Sequence, residues 1–197
     1  MSERVVVPGA RKVVATLDDG DADSVVVACP PHPQFGGNRS DSRLTAVGEA
    51  LGERGIACLR FDYGPWDEGR GERTDALDAI GWARDRYDAI GLFGYSFGAS
   101  VALVAASESR DLRAVSVLSP GARVVDDADV VAALDRIEVP TQVVYGERDE
   151  TVDWEPVVQR ARALGLAVEG LPADHHYVGQ GAKVGSLVAA FLATHLG

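Results

Sequence analysis

Leu92-Phe93-Gly94-Tyr95-Ser96-Phe97-Gly98-Ala99-Ser100 decides how this chain is read. The apolar run Ala89 to Phe93 before its centre has the composition of a buried strand, and the small residues from Ala99 to Ala106 after it read as a helix packed close to a sheet. Between them stands Gly-x-Ser-x-Gly. Gly94 and Gly98 lack Cβ atoms, so strand and helix can approach while Ser96 takes a strained backbone conformation. The Ser96 hydroxyl would then stand at the carboxyl edge of the sheet, over a helix N-terminus whose unpaired N–H groups suit a developing oxyanion. Strand, sharp turn, helix is the context in which such a serine acts as a nucleophile.

Working outward, continuous apolar runs alternate with helical periodicity. Ser24–Cys29, Ile56–Phe61, Leu112–Leu118 and Pro140–Tyr145 read as buried parallel strands, with a shorter one at Ala167–Leu171. Helices are expected over Ser40–Arg54, Glu72–Tyr87, Val152–Leu164 and Gly179–His195. Ser40 or Asp41 would cap the first, and Gly55 would end it. Arg4–Val7 and Lys12–Leu17, split by Pro8-Gly9-Ala10, read as an antiparallel hairpin at a sheet edge. Asp18–Asp23 reads as a solvated acidic turn, without the length or terminal Glu of a calcium loop. Ser119–Val139 is short and acidic, with one helix expected near Asp129–Leu134, and leaves little room for a lid. Strands alternating with helices imply a mostly parallel α/β sheet covered on both faces, and 197 residues suit a single domain.

The net charge of −11 disfavours nucleic acid as a partner. Of the 19 basic side chains only Lys12 and Lys183 are lysine. An acidic excess with so little lysine is expected of a protein adapted to high salt, where screening relieves self-repulsion, and it predicts weak folding in dilute buffer. Arginine usage in a GC-rich genome would produce the same bias. No apolar run reaches membrane-spanning length and the N-terminus has no apolar signal region, so a cytoplasmic protein without a membrane partner is expected. Cys29 and Cys58 fall in expected strands and read as small core residues of a reducing compartment.

A serine hydroxyl needs a base, and the base needs an orienting carboxylate. Four histidines are available. His195 lies on the last helix, and His32 precedes the serine in the loop Pro30-Pro31-His32-Pro33-Gln34-Phe35-Gly36-Gly37. His175 and His176 follow the last expected strand, on the same sheet edge as Ser96. Asp149 follows the Val143-Val144-Tyr145 run, and its rivals for the acid are Glu147, Asp153 and Asp174. Trp66, near the middle of the loop Asp62–Gly71, would either line a substrate site or anchor that loop. Phe35, Tyr95 and His176 are the other candidates for the substrate pocket.

These pieces together resemble the α/β-hydrolase superfamily, above all its small lidless dienelactone-hydrolase-like members. The resemblance rests on His32-Pro33-Gln34-Phe35-Gly36-Gly37, Arg60-Phe61-Asp62, Gly94-Tyr95-Ser96-Phe97-Gly98, Gly146-Glu147-Arg148-Asp149 and Asp174-His175, and it covers nearly the whole chain. It implies the order Ser96, Asp149, His175, with His175 favoured over His176 as base. It also implies an oxyanion hole from the backbone N–H groups of Gln34 and Phe97, with His32 shaping the loop. Dienelactone hydrolases proper carry cysteine where this chain has Ser96, which argues against dienelactone as substrate. The expectation is a hydrolase of small carboxylic esters or thioesters that needs neither metal nor organic cofactor. A silent binding module on the same fold, and acyl transfer or perhydrolysis on the same three residues, are the rival readings.

Overall fold

The computed structural model describes residues 2–18, 22–124 and 128–197. Eight strands form one sheet: β1 (Ser2–Val7), β2 (Val13–Asp18), β3 (Ser24–Cys29), β4 (Ala57–Asp62), β5 (Ala89–Tyr95), β6 (Ala114–Leu118), β7 (Thr141–Gly146) and β8 (Ala167–Leu171). Among the described residues six helices cover it: α1 (Ser42–Gly52), α2 (Arg70–Arg84), α3 (Phe97–Glu108), α4 (Val130–Leu134), α5 (Glu155–Ala163) and α6 (Gly181–Leu196). The strand order is β1-β2-β4-β3-β5-β6-β7-β8. The β1–β2 and β2–β4 pairs are antiparallel, and every other pair is parallel.

Apolar runs become central strands because they meet helices on both faces. Val25, Val27 and Cys29 face the core under α2, α3, α4 and α5, while Val26 and Ala28 face the core under α1 and α6. The edge strand β8 is half exposed, which is why its sequence, Ala-Val-Glu-Gly-Leu, is less uniformly apolar. Cys29 and Cys58 are buried free thiols, and burial pushes the Cys58 thiol up to about 12.

From β3 the chain moves to β4 on one side, then crosses to β5 on the other. The loops leaving β3 and β5 therefore diverge and open a crevice at the carboxyl ends of those two strands. That crevice receives the loop Pro30–Gly37 and the turn containing Ser96.

Several boundaries shift from the periodicity, for local reasons. α1 starts at Ser42 because Asp41 Oδ1 accepts the Arg43 N–H. α2 starts at Arg70 because Gly69, at φ 86, turns the chain and the buried Glu72 carboxylate takes its N–H at 2.7 Å. α3 begins immediately after Ser96. α5 starts at Glu155, three residues later than its apolar pattern, because residues 149–154 form a turn around the Asp149 carboxylate. The loop after β3 holds one short 3₁₀ turn, Pro33–Phe35, that its Pro and Gly content did not announce. Between β6 and β7 the described residues hold only α4 and an isolated Arg123–Asp129 bridge, and no lid domain. The acidic turn expected at Asp18–Asp23 lies in part outside the described residues, as do residues 125–127 of the connection after β6.

Candidate active site

The turn between β5 and α3 carries Ser96 at φ 58, ψ −123, a conformation an L residue adopts only under constraint. The constraint is close packing. A Cβ on Gly94 would strike the Gly98 carbonyl, and one on Gly98 would strike the Cys29 carbonyl. The Ser96 N–H is tied to the Leu118 carbonyl at 2.9 Å. The hydroxyl then reaches His175, with Oγ 2.8 Å from Nε2.

His175 sits in the loop after β8 and Asp149 in the loop after β7, side by side because those strands are paired. His175 Nδ1 is 2.7 Å from Asp149 Oδ2. The buried carboxylate can only accept, so Nδ1 carries the proton and Nε2 is free to take one from Ser96. Burial raises the proton affinity of Asp149. The bonds it accepts from His175 and from the Thr151 N–H at 2.9 Å outweigh that, and its carboxyl stays below the ordinary range. Trp154 fixes the loop from outside, its indole N–H donating to the Asp149 carbonyl at 2.9 Å and its rings stacking on Tyr145. The rival acids Glu147, Asp153 and Asp174 are exposed, and Asp174 Oδ1 accepts the His176 N–H.

On the opposite wall His32 caps the 3₁₀ turn. Its Nδ1 accepts the Gln34 N–H at 3.3 Å, and its ring lies within 5 Å of Phe35, Trp66 and Phe97. Desolvation lowers the imidazole pKa, against the opposing pull of Glu72, which suits an unprotonated Nδ1 acceptor. Gln34 is thus engaged rather than free. The Phe97 N–H has no protein partner among the described residues. The loop is held from below by Asp62, which accepts the Arg39 N–H at 2.7 Å and pairs with its guanidinium, and by Arg60, which donates to the Arg39 carbonyl at 2.5 Å.

These residues enclose an open cleft of roughly 400 Å³, lined by His32, Phe35, Tyr95, Ser96, His175 and His176 among others. Phe35 is 86% exposed at its rim. Trp66 is not part of the lining. It packs on His32 and Phe97, so of its two expected roles the geometry supports the anchor. The sequence reading missed Arg43, Asp41 and Thr151, which also line the cleft. Arg43 lies over the Tyr95 ring, 4.5 Å from its centroid, and pairs with Asp41 at 2.6 Å. The only sequence signal there was the helix cap at Asp41. A second cavity, between α2 and α3, shares no residue with the cleft.

Among the described residues no group of His, Cys, Asp and Glu is arranged to hold a metal ion, and no helix is long and apolar enough to cross a membrane.

The chain has the α/β-hydrolase fold. It superposes on an α/β serine hydrolase homologue from Coxiella burnetii with TM-score 0.83 and 24% identity, over 96% of this chain and 97% of that one. A lidless α/β serine hydrolase from Xanthomonas campestris matches with TM-score 0.81 and 23% identity, over 99% and 95%. A dienelactone hydrolase from Anabaena variabilis matches with TM-score 0.81 and 22% identity, over 100% and 99%. No family model matches the chain. Among curated proteins, one from Mycobacterium tuberculosis named as a candidate phosphoribosyl transferase is 32% identical over 142 residues, covering 66% of this chain. The chain spans about a third of that relative's length, 31%.

Proposed function

We propose that this protein is a serine hydrolase that cleaves carboxylic esters or thioesters through an acyl-enzyme on Ser96. One observation carries the reading: Ser96 Oγ, His175 Nε2 and Nδ1, and Asp149 Oδ2 form a continuous line with links of 2.8 and 2.7 Å at the carboxyl edge of this fold. His175 takes the Ser96 proton as Oγ attacks the carbonyl carbon, and Asp149 stabilises the imidazolium. The proton then passes to the leaving alcohol or thiol. Water, deprotonated by the same imidazole, releases the acid and restores Ser96.

The oxyanion is assigned to the Phe97 and Gln34 N–H groups, each such donor being worth about 3 kcal/mol in the transition state. The position of Phe97 at the start of α3, its N–H without a protein partner among the described residues, supports that role. Gln34 would exchange its long bond to His32 for the oxyanion, so His32 keeps that amide oriented until substrate arrives. The open cleft suits a small acyl group or an accessible ester on a larger molecule. Neither metal nor organic cofactor enters this mechanism, and the acidic surface fits a small-molecule partner better than nucleic acid.

The test is intact-mass analysis after fluorophosphonate treatment of wild type and Ser96→Ala, in dilute and molar salt. A single adduct on wild type that is absent from the variant is expected. A folded wild-type protein that stays unmodified would instead favour a silent binding module.

A further inference from the structure

The run Arg60-Phe61-Asp62 ends β4 and has no part in the mechanism above. Phe61 lies in the core under α2 and α3, so Arg60 and Asp62 face the other side of the sheet, with Cys58, toward α1. Side chains two apart on one strand are neighbours, and these two close on one residue of the loop after β3. Asp62 Oδ1 accepts the Arg39 N–H at 2.7 Å, and Arg60 Nη1 donates to the Arg39 carbonyl at 2.5 Å. Both main-chain groups of Arg39 are thus bonded as a neighbouring strand would bond them, but by side chains. The grip is braced from β2. Arg60 Nε donates to Asp18 Oδ2 at 2.7 Å, and the Arg39 guanidinium pairs with Asp62 while its Nε donates to Thr16 Oγ1 at 3.2 Å.

From Arg39 back to Gln34 the loop has no slack. Asn38 Nδ2 donates to the Gly36 carbonyl at 2.8 Å, and Asn38 Oδ1 accepts the Ser40 N–H at 2.8 Å. The N–H groups of Phe35 and Gly37 both reach the His32 carbonyl, at 3.1 and 3.0 Å, and the Gly36 N–H reaches the Pro33 carbonyl at 3.2 Å. A Cβ on Gly37 would strike the Pro31 carbonyl. Bonded groups therefore run unbroken from Asp62 and Arg60, through Arg39, Asn38 and Gly36, to the turn that holds Gln34.

We infer that Arg60 and Asp62 are positioning residues, which fix the place of the Gln34 amide by holding Arg39 at both its N–H and its carbonyl. The catalytic meaning of this grip rests on the proposed hydrolase reading, in which Gln34 donates to the oxyanion; the grip itself does not. A donor to a developing charge is effective only when it is fixed before the charge forms. With either side chain removed, Arg39 would be held at one end only, and the Gln34 amide would sample more than one place.

The test uses the full chain as wild type, Asp62→Ala, Asp62→Asn and Arg60→Met. The Asp62 and Arg39 side chains are 32% and 30% exposed, so water enters where the carboxylate is removed, and methionine keeps the apolar stem of Arg60. Asparagine keeps an oxygen that can accept the Arg39 N–H. Two readouts are taken. One is the main-chain amide resonance of Gln34 in protein carrying isotope-labelled glutamine, beside those of Gln142, Gln159 and Gln180. The other is kcat and KM for p-nitrophenyl acetate. Asp62→Ala and Arg60→Met are each expected to shift or broaden the Gln34 resonance, to leave the other three in place, and to lower kcat about tenfold at unchanged KM. Asp62→Asn is expected to recover most of the lost rate. A Gln34 resonance unmoved in both Asp62→Ala and Arg60→Met overturns the inference, whatever happens to kcat. A resonance that moves while kcat holds overturns its catalytic meaning. If Asp62→Ala does not fold, Arg60→Met, which releases the other end of the same residue, decides alone. Should wild type neither turn over nor label with fluorophosphonate, the hydrolase reading fails, and the Gln34 resonance still decides whether the two side chains position that amide.

Discussion

Tyr95 donates its phenol hydrogen to the main-chain carbonyl of His175 at 2.9 Å, tying the residue before Ser96 to the residue proposed to take the Ser96 proton. The bond crosses from β5 to the loop after β8, which are not neighbours in the sheet. It therefore sets the distance between Ser96 and His175 more directly than the strand pairing does.

Tyr95→Phe is expected to lower stability by about 1–3 kcal/mol, the cost of leaving a buried carbonyl unpaired, and to slow labelling at Ser96. Burial pushes the Tyr95 phenol up to about 12, against the pull of Arg43, so the donor keeps its hydrogen. The difference from wild type should then be flat from about pH 6 to 10. Urea titrations across that range would show it, and a difference that vanishes at the alkaline end would contradict the assignment.

The Asp149 carboxyl is held below its ordinary value, burial being outweighed by the donors around it. A folded-state value below the unfolded one contributes stability that is complete above about pH 3.9 and is lost as pH falls through the folded value. Asp149→Asn should therefore be less stable than wild type at neutral pH, with the gap closing below about pH 4. Unfolding midpoints measured at several pH values test this. A gap that widens on acidification would reverse the sign.

Arg11, in the turn between β1 and β2, reaches across to α2. Its Nε donates to Asp75 Oδ1 at 2.9 Å, and Nη2 lies 3.6 Å from Glu72. Both carboxylate side chains are fully buried. Arg11→Met strands the two together without a cation and is expected to cost about 3–5 kcal/mol. Asp75 is already raised, burial outweighing the Gly64 N–H and Arg11. A raised carboxyl disfavours the folded state at high pH, so part of the loss should return on acidification as Asp75 takes up a proton. If Arg11→Met unfolds at the wild-type urea concentration, the clamp carries no stability.

Salt should stabilise this protein. The exposed pairs Arg73–Glu108, Arg84–Asp111 and Arg160–Asp135 are weakened by screening, but such pairs contribute little. Self-repulsion from a net charge of −11 is relieved at the same time and is the larger effect. The thermal midpoint should rise between dilute buffer and molar KCl. A midpoint that stays level or falls would favour codon bias as the source of the arginine excess.

The elements that bury both faces were readable in the sequence, because Ser24–Cys29 and Ala89–Phe93 could be little else once flanked by turn residues. The placement of Ser96, Asp149 and the His175-His176 pair at one sheet edge was readable as well, since each follows a strand that ends there, while only the family resemblance favoured His175. Asp41 and Arg43 were not. They enter the cleft because α1 starts beside Tyr95, a fact of tertiary packing. The start of α5 was misplaced because the Asp149 side chain binds the Thr151 N–H and overrides helical periodicity.

Ser96 stands at φ 58 and ψ −123 in a turn that packing forbids to relax. Such a conformation costs an L residue about 1–3 kcal/mol, so the proposed nucleophile sits at a strained point of the fold. Ser96→Gly should accordingly yield a protein that melts higher and cannot be labelled. Resistance to heat and reactivity are opposed at this one position, and sequences selected only for durability would drift away from serine here.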